Sequence, residues 1–262
     1  MTLKLKLIAI ATIASLLLLV GFIFYPSSAG MRQQGNLNIA TFSKDFTNVH
    51  LVSFEGKHLL IDAGLGKHQQ ALESFLASSG VKAKDLSALI VTHGHHDHAG
   101  TAAYFQKKHG VKIIGGKADL SYFSTGKNGT LCPTSLMARA RHNMDQKGTF
   151  EKFEPDILVE NQLDISNLIG TPAKITNVPG HTPGSLVITL GGVAFVGDLL
   201  RGGLINQSVA AMHFYQCNFP ALKQGTQTLL TELAPQAATF FPSHLGPVTR
   251  SSVENLLQVI PE

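Results

Sequence analysis

Short apolar runs, separated by glycine, proline and polar residues, recur along most of the chain. Their lengths and β-branched content predict strands, whereas longer segments with a helical period predict helices. The expected strands are residues 37–42, 48–54, 58–62, 86–92, 111–114, 174–178, 185–190, 192–197 and 238–242. The expected helices are residues 67–79, 99–109, 220–233 and 250–259. Strands and helices interspersed in this way predict a mixed α/β (α+β) fold.

Residues 116–172 show no clear period and mix apolar with basic side chains. Two interpretations remain open: a lid or pocket wall that biases substrate choice, or helices packed on the surface. Arg201 and Tyr215 are further candidates for a pocket, and an ordinary surface role is the alternative for each.

The N-terminal hydropathy differs from the rest of the chain. Residues 7–25 carry no charge and follow Lys4 and Lys6. A helix of that length can roughly span a ~30 Å hydrocarbon core, which predicts a transmembrane anchor. A cleaved signal peptide is the alternative, because small residues precede position 30.

In either case the lysines stay cytoplasmic and the following domain is exported. The protein is then anchored in the inner membrane facing the periplasm or extracytoplasmic side, or secreted if the segment is cleaved. The expected organisation is an anchor or signal segment at residues 1–29, a linker at 30–36 and one domain at 37–262.

The length of 262 residues is enough for one large domain or a tightly joined pair of halves, and the 44% hydrophobic content provides a substantial core. The formal net charge is +4, and Lys4 and Lys6 supply two of those charges. The remaining charge is too small for a nucleic-acid footprint, so no nucleic-acid partner is expected. The oligomeric state stays undetermined.

Cys132 and Cys217 are the only two cysteines. Neither belongs to a metal-type cysteine cluster, so a structural role is expected for both. In an exported protein they could form a disulfide, but sequence alone leaves their proximity open.

The densest chemical signal is residues 93–98, His-Gly-His-His-Asp-His, directly after the apolar run 86–92. Imidazole and carboxylate together suit zinc and neighbouring metals. In an extended segment alternate side chains share a side, so His93 and His95 can converge on one ion.

Asp97 and His98 lie where a helical pattern begins, so they can point towards a second ion. His96 is out of phase with these residues and is expected to face away from the metals.

Three downstream segments share one form: an apolar run, a nearby glycine or proline, and a ligand-type residue at or near the end of the run. The ligand-type residues are His181, Asp198 and His244. This form lets residues that are distant in sequence meet at one edge of a sheet.

His93, His95, Asp97, His98, His181, Asp198 and His244 resemble the metal-binding set of the metallo-β-lactamase superfamily. The segment Leu59-Leu-Ile-Asp62-Ala-Gly is also similar to an early element of that family. The resemblance runs from about residue 37 to about residue 250. It implies a four-layer αββα sandwich with metals at one edge between the sheets.

The resemblance also implies a role for each residue. One metal would be held by His93, His95 and His181, and a second by Asp97, His98 and His244, with Asp198 bridging both. The ions would be two divalent metals, zinc in the first place, with iron or manganese as alternatives. Asp62 would hydrogen-bond the ligand loop, and an ordinary turn aspartate is the alternative.

These ligands predict hydrolysis of a small-molecule substrate by a metal-bound hydroxide, with Asp97 as a catalytic residue that orients it or carries a proton. The ligand set more closely resembles the glyoxalase II, lactonase and phosphodiesterase branches of the superfamily, and the expected substrate is a small molecule with an ester, thioester or lactone bond. Asp198 argues against the β-lactamase branch, whose members generally lack that residue. Two alternatives remain: an exported metallo-β-lactamase, or a non-catalytic membrane-tethered metal-binding sensor or scaffold.

Overall fold

A computed structural model describes residues 28–261. The predicted anchor or signal segment therefore lies outside the described residues, apart from its last two positions. Within residues 28–261, no helix is both long and apolar enough to cross a membrane.

Two mixed β-sheets form the centre of the fold. The first contains seven strands in sequence order: β1 (Ser28–Gln34), β2 (Leu37–Lys44), β3 (Thr47–Phe54), β4 (Lys57–Ile61), β5 (Ala88–Ile90), β6 (Ile113–Gly116) and β7 (Ile157–Val159). Strands β1 to β4 form antiparallel hairpins, whereas β4 to β7 pair in parallel. The parallel half brings the carboxyl ends of β4 and β5 to one edge.

The second sheet contains six strands in the order β15-β14-β11-β10-β9-β8. They are β8 (Gln162–Asp164), β9 (Ala173–Asn177), β10 (Leu186–Leu190), β11 (Val193–Gly197), β14 (Thr239–Pro242) and β15 (Val248–Thr249). Only β11 and β14 pair in parallel, so their carboxyl ends also share an edge. A separate ribbon joins β12 (Arg201–Gly202) to β13 (Ala210–Ala211).

Seven α-helices accompany the sheets in the described part of the chain. They are α1 (Gln69–Ser78), α2 (Ala102–His109), α3 (Leu120–Thr125), α4 (Leu136–Asp145), α5 (Ser166–Ile169), α6 (Phe219–Thr228) and α7 (Arg250–Val259). A π-helical turn, Leu229–Leu233, continues α6.

Three apolar cores show how these elements are layered. One core places Leu72 and Phe105 of α1 and α2 against the outer face of the first sheet. A second fills the space between the sheets, where Ile61 and Phe195 are fully buried. The third packs α6 and α7 on the second sheet, around Phe240. The result is the predicted αββα sandwich.

The predicted strands and helices are all present, with ends shifted by a few residues. The predicted linker at residues 30–36 is wrong, because most of it belongs to β1. Seven residue pairs join β1 to β2, and Gly35 turns the hairpin with a positive φ of 57°. Met31 is 74% exposed, so this strand lies on the surface and lacks the apolar alternation that predicts strands.

Residues 116–172 contain α3, α4, β7, β8 and α5. A disulfide joins Cys132, just before α4, to Cys217. Pro133 pairs with Tyr215 as an isolated β-bridge beside it. The α4 region is therefore fastened to the segment that follows β13.

Candidate metal centre

The ends of buried strands determine where the candidate ligands lie. Residues 93–98 follow β5, Asp198 follows β11, and His244 lies shortly after β14. His181 occupies the turn between β9 and β10. Parallel pairing places the carboxyl ends of β4 and β5 at one edge of the first sheet, and those of β11 and β14 at one edge of the second. Asp198 lies 3.6 Å from His93 and 3.4 Å from His98, so the two edges lie together.

Glycine at position 94 lets the ligand loop pass close to its neighbour α3. A Cβ added to Gly94 would lie 2.6 Å from the Cβ of Tyr122. Any larger residue between His93 and His95 would therefore displace the loop or the helix.

Three imidazoles form a first group of candidate ligands. Nδ1 of His95 lies 3.1 Å from Nε2 of His93 and 3.1 Å from Nε2 of His181. Ligand atoms around a tetrahedral zinc ion at 2.0–2.1 Å are about 3.3–3.4 Å apart. The observed nitrogen spacing therefore fits a metal ion.

A second group consists of Asp97, His98 and His244. Oδ2 of Asp97 lies 3.4 Å from Nε2 of His98 and 3.5 Å from Nε2 of His244. This spacing is again that of ligands around one ion.

Asp198 lies between the two groups. Its Oδ2 is 3.6 Å from Nε2 of His93 and 3.5 Å from that of His181. The same oxygen is 3.4 Å from Nε2 of His98 and 3.2 Å from that of His244. One carboxylate oxygen is thus within ligand spacing of both groups, and the seven predicted residues lie together.

Three of the imidazoles direct Nε2 at the cluster and are oriented by a hydrogen bond at the other ring nitrogen, Nδ1. Nδ1 of His98 donates to Asp62 at 3.0 Å, and Nδ1 of His244 donates to the Phe46 carbonyl at 2.6 Å. Nδ1 of His181 donates to the Tyr215 carbonyl at 2.9 Å. Donation from Nδ1 leaves the Nε2 lone pair for a metal, as in most histidine sites.

Burial governs the ionisation of the first group. Burial, reinforced by the neighbouring imidazoles, lowers the pKa of His93 and His95 well below the ordinary value, and burial also lowers that of His181. These three rings are therefore neutral at neutral pH, which is the form that binds metals.

The second group is more strongly charged. Burial opposes charge on His98, but Asp97, Asp198 and Asp62 outweigh it and raise the pKa of His98 well above its ordinary value. Burial likewise opposes ionisation of Asp97, but the adjacent histidines hold the pKa of that carboxyl well below its usual range. In the metal-free protein, acidic and imidazole groups stabilise each other where a cation would otherwise bind.

Unpartnered polar atoms also point to an ion. Among the described residues, His98 Nε2, Asp198 Oδ1 and His213 Nε2 are buried without a hydrogen-bond partner. A buried polar atom without a partner costs about 1–3 kcal/mol. A divalent cation would satisfy these atoms, so the donor set fits a metal.

His213 is the member of this cluster that the sequence did not reveal. It follows β13 and is 5% exposed. Its Nε2 lies 3.1 Å from Asp198 Oδ2. A lone histidine in an irregular segment carries no spacing pattern, so no local signal could have identified it.

Asp119 was also missed, since it belongs to the segment with no clear period. Its carboxylate accepts hydrogen bonds from the Gly94 amide at 2.9 Å, the Thr182 hydroxyl at 2.7 Å and the Gly184 amide at 2.8 Å. Burial raises the pKa of Asp119. This carboxylate therefore connects the loop of His93 and the loop of His181.

Asp62 does contact the ligand loop, as the resemblance implied. It accepts hydrogen bonds from the Thr92 amide at 2.8 Å and the Ser243 hydroxyl at 2.5 Å, besides that from His98. His96 belongs to neither ligand group, but it lines the cavity over them and its Nδ1 lies 3.8 Å from Oδ1 of Asp97. Its backbone amide donates to the Asn128 side chain at 2.8 Å.

A cavity of about 140 Å³ opens over the cluster. The cluster residues facing it are His95, Asp97, Asp198, His213 and His244. Leu131, Arg141 and Asp145 come from the segment 116–172, so part of that segment forms a pocket wall.

Tyr215 lines this cavity, and its hydroxyl donates to Asp145 at 2.6 Å. The other pocket candidate, Arg201, does not line it. The Arg201 guanidinium instead lies 4.1 Å from the ring centroid of Phe214, and Phe214 lines the cavity. Arg201 therefore contacts the pocket only through the Phe214 ring.

Comparison with known proteins agrees with this geometry. The family model for the metallo-beta-lactamase superfamily matches residues 43–244. The hydroxyacylglutathione hydrolase GloC of Haemophilus influenzae is 32% identical over 124 residues, which are 46% of this chain and 53% of that protein. The match thus spans about half the length of this curated relative.

Solved structures show the same fold. BJP-1, a subclass B3 metallo-beta-lactamase of Bradyrhizobium japonicum, has a TM-score of 0.62 at 16% identity, covering 88% of this chain and 90% of that one. A metallo-beta-lactamase from Pontibacter korlensis has a TM-score of 0.62 at 18% identity, covering 89% of this chain and 100% of that one. At these identities the likeness concerns the fold alone.

Proposed function

The chain belongs to the metallo-β-lactamase superfamily. We propose that it is a hydrolase that cleaves an ester, thioester or lactone bond of a small molecule at a centre of two divalent ions, zinc in the first place. One ion would be held by His93, His95 and His181, the other by Asp97, His98 and His244, and both by Asp198.

The position of Asp198 carries the proposal. Its Oδ2 lies within 3.6 Å of an imidazole nitrogen from each group. A carboxylate oxygen so placed would lie close to both cations and offset part of their charge. The side chain is almost completely buried, so its charge is weakly screened by water.

Divalent ions in this donor set would lower the pKa of a coordinated water towards neutrality and stabilise the oxygen that gains negative charge. Asp97 is suited to handle the proton. Its side chain is 22% exposed and lines the cavity, whereas the imidazoles around it are buried. The carboxylate of Asp97 would orient the attacking water or carry a proton towards the leaving group.

The pocket supports a small substrate. The cavity of about 140 Å³ has apolar walls at Phe46, Leu131 and Phe214, with charged groups beside them. The name of the relative from Haemophilus influenzae, a hydroxyacylglutathione hydrolase, favours a thioester within the proposed range. Turnover of β-lactams is the second candidate, because solved structures of the same fold are β-lactamases.

We also propose that the domain is exported and attached to a membrane through residues 1–29. The Cys132–Cys217 disulfide supports this location, because such bonds persist mainly in oxidising compartments. Fractionation of producing cells tests it: the proposal predicts membrane-associated protein that is digested by protease added outside the cytoplasm. Protease-resistant protein in the cytosol would contradict it.

A hydrolysis screen of the zinc-loaded full chain tests the function. The panel would hold chromogenic ester, thioester, lactone, β-lactam and phosphodiester substrates. His95→Ala and Asp198→Ala should lose both metal and turnover, whereas His142→Ala, which removes an imidazole outside the cluster, should keep both. Cleavage of an ester, thioester or lactone supports the proposal. Cleavage of β-lactams alone, or equal turnover by His95→Ala, would overturn it.

A further inference from the structure

His213 lies in the candidate metal centre but has no place in the seven-residue pattern. Its Nε2 is 3.1 Å from Asp198 Oδ2, closer than any of the four predicted imidazole ligands that contact this oxygen. It also lines the cavity, so it lies on the side that a substrate would approach.

The Tyr215 peptide group holds His213 and His181 together. Nδ1 of His213 lies 3.2 Å from the Tyr215 carbonyl oxygen, which also accepts the hydrogen bond from Nδ1 of His181. The two rings meet edge to face with centroids 4.5 Å apart. Nδ1 of His213 is also 3.2 Å from the backbone nitrogen of Tyr215, a hydrogen-bond donor. Donation from Nδ1 to the carbonyl, the alternative to accepting from that amide, is the tautomer that leaves Nε2 available for a metal.

The Nε2 atom of His213 has the environment of a ligand atom. It is buried without a hydrogen-bond partner, as are Nε2 of His98 and Oδ1 of Asp198. A cation bound to Asp198, whose Oδ2 lies 3.1 Å away, would give this nitrogen a partner.

The segment around His213 is fixed firmly enough to form a metal site. The Gln216 side chain donates to the Gly180 carbonyl at 2.5 Å, next to His181. The backbone N–H of Gln216 donates to the Cys132 carbonyl at 2.8 Å. Cys132 is also joined by the disulfide to Cys217, the residue after Gln216. Rigid placement of ligand side chains is what a preformed metal site requires.

We propose that His213 is an additional protein ligand, binding through Nε2 the ion that is held by His181 and Asp198. The ligand atoms of these three residues lie within 4.8 Å of one another. The inference rests on the proposed metal centre. It gives the first ion one imidazole more than the seven-residue pattern provides, and it should tighten binding of that ion.

Metal affinity provides a test that does not depend on turnover. The metal-free full chain and its variants would be titrated with zinc against a chromophoric chelator. His213→Ala and His213→Asn should each weaken binding of one ion at least tenfold, whereas His142→Ala should change it less than twofold. The Asn variant offers a hydrogen-bond donor to Asp198 but no imidazole, so restored affinity in it would show a positioning role and overturn the proposal.

A crystal structure of the zinc-loaded protein provides a second measurement that needs no variant. A ligand places Nε2 of His213 about 2.0–2.1 Å from an anomalous zinc peak. A separation above about 3 Å, with zinc present on His181, would overturn the inference.

His95→Ala separates the two proposals. If it loses zinc while both His213 variants retain full affinity, the additional ligand is disproved and the proposed centre stands. If zinc binds the unmodified protein no more tightly than it binds His95→Ala, both proposals fail.

Discussion

Oδ2 of Asp62 accepts a hydrogen bond from Nδ1 of His98 at 3.0 Å, and both side chains are completely buried. Asp62 directly follows β4, and His98 ends the ligand loop, 36 positions further along the chain. The Ser243 hydroxyl binds the same carboxylate oxygen, one residue before His244. A single carboxylate therefore links both histidines of the second candidate ligand group.

Replacing Asp62 should weaken metal binding without removing a ligand. Asp62→Ala leaves His98 free to rotate or change tautomer, and loss of such a partner typically costs 10–100-fold in metal affinity. Zinc titration against a chelator measures this effect. Asp85→Asn, in a short helical turn remote from the cluster, is the control and should leave affinity unchanged. Equal affinities in the two variants would contradict the positioning role.

Asp119 should matter for stability more than its absence from the ligand set suggests. Asp119→Ala removes the acceptor for Gly94, Thr182 and Gly184, each left buried at a cost of about 1–3 kcal/mol. We expect the free energy of unfolding to fall by about 3–5 kcal/mol in total. Urea denaturation of the metal-free protein measures the loss, with Asp164→Ala as the surface control. A loss below about 1 kcal/mol would show that the two loops do not depend on this carboxylate.

His50 should make the protein less stable in mild acid. Burial lowers its pKa to about 4, despite the opposing hydrogen bond to the Pro242 carbonyl. The unfolded chain, with the ordinary value of 6.5, then binds more protons than the folded protein between these two values. Stability therefore rises with pH across this window, and full protonation of His50 costs about 3 kcal/mol.

The variant His50→Gln tests this pH effect, since glutamine stays neutral. Denaturation curves from pH 7 to pH 4 should show a shallower loss of stability for His50→Gln than for the unmodified protein. Parallel losses in the two proteins would mean that His50 does not contribute. Both proteins are measured without metal, so that metal release does not alter the comparison.

The disulfide should stabilise both the fold and the pocket wall. Cys132 and Cys217 are 85 positions apart, and closing a loop of this size in the unfolded chain contributes about 4.6 kcal/mol in the chain-entropy model. Reduction should therefore lower the melting temperature of the unmodified protein. The double variant Cys132→Ser, Cys217→Ser should melt at the lower temperature whether or not reductant is present. An unchanged melting temperature on reduction would contradict the prediction.

The sequence predicted most of the fold because local patterns were strong. Apolar runs bounded by glycine and proline identified the buried strands, and a helical period identified α1, α2, α6 and α7. The local patterns did not predict elements whose burial is weak or depends on the tertiary context. Most of the exposed strand β1 lies in the segment predicted to be a linker, and α3, α4 and α5 lie in a segment without a clear period.

The residues of the candidate site also fall into those that the sequence predicted and those that only the structure revealed. Four of them lie within residues 93–98, and three others end or follow apolar runs, so chemistry and position could both be seen in the sequence. His213 and Asp119 have no such signal. Each acquires its significance only from residues far along the chain, such as Asp198 for His213 and Gly184 for Asp119.

The sequence by itself determined the element types, the ligand-rich loop and the family, because these depend on the order of side chains along short segments. Only the tertiary structure decided which side chains share a site, which atoms are left buried without partners and which cysteines pair. Those properties depend on distances across two sheets, and distance in space is not encoded by spacing in the chain. Asp198 illustrates both levels: its residue type was visible in the sequence, but its place between two ligand groups was set by the parallel pairing of β11 and β14.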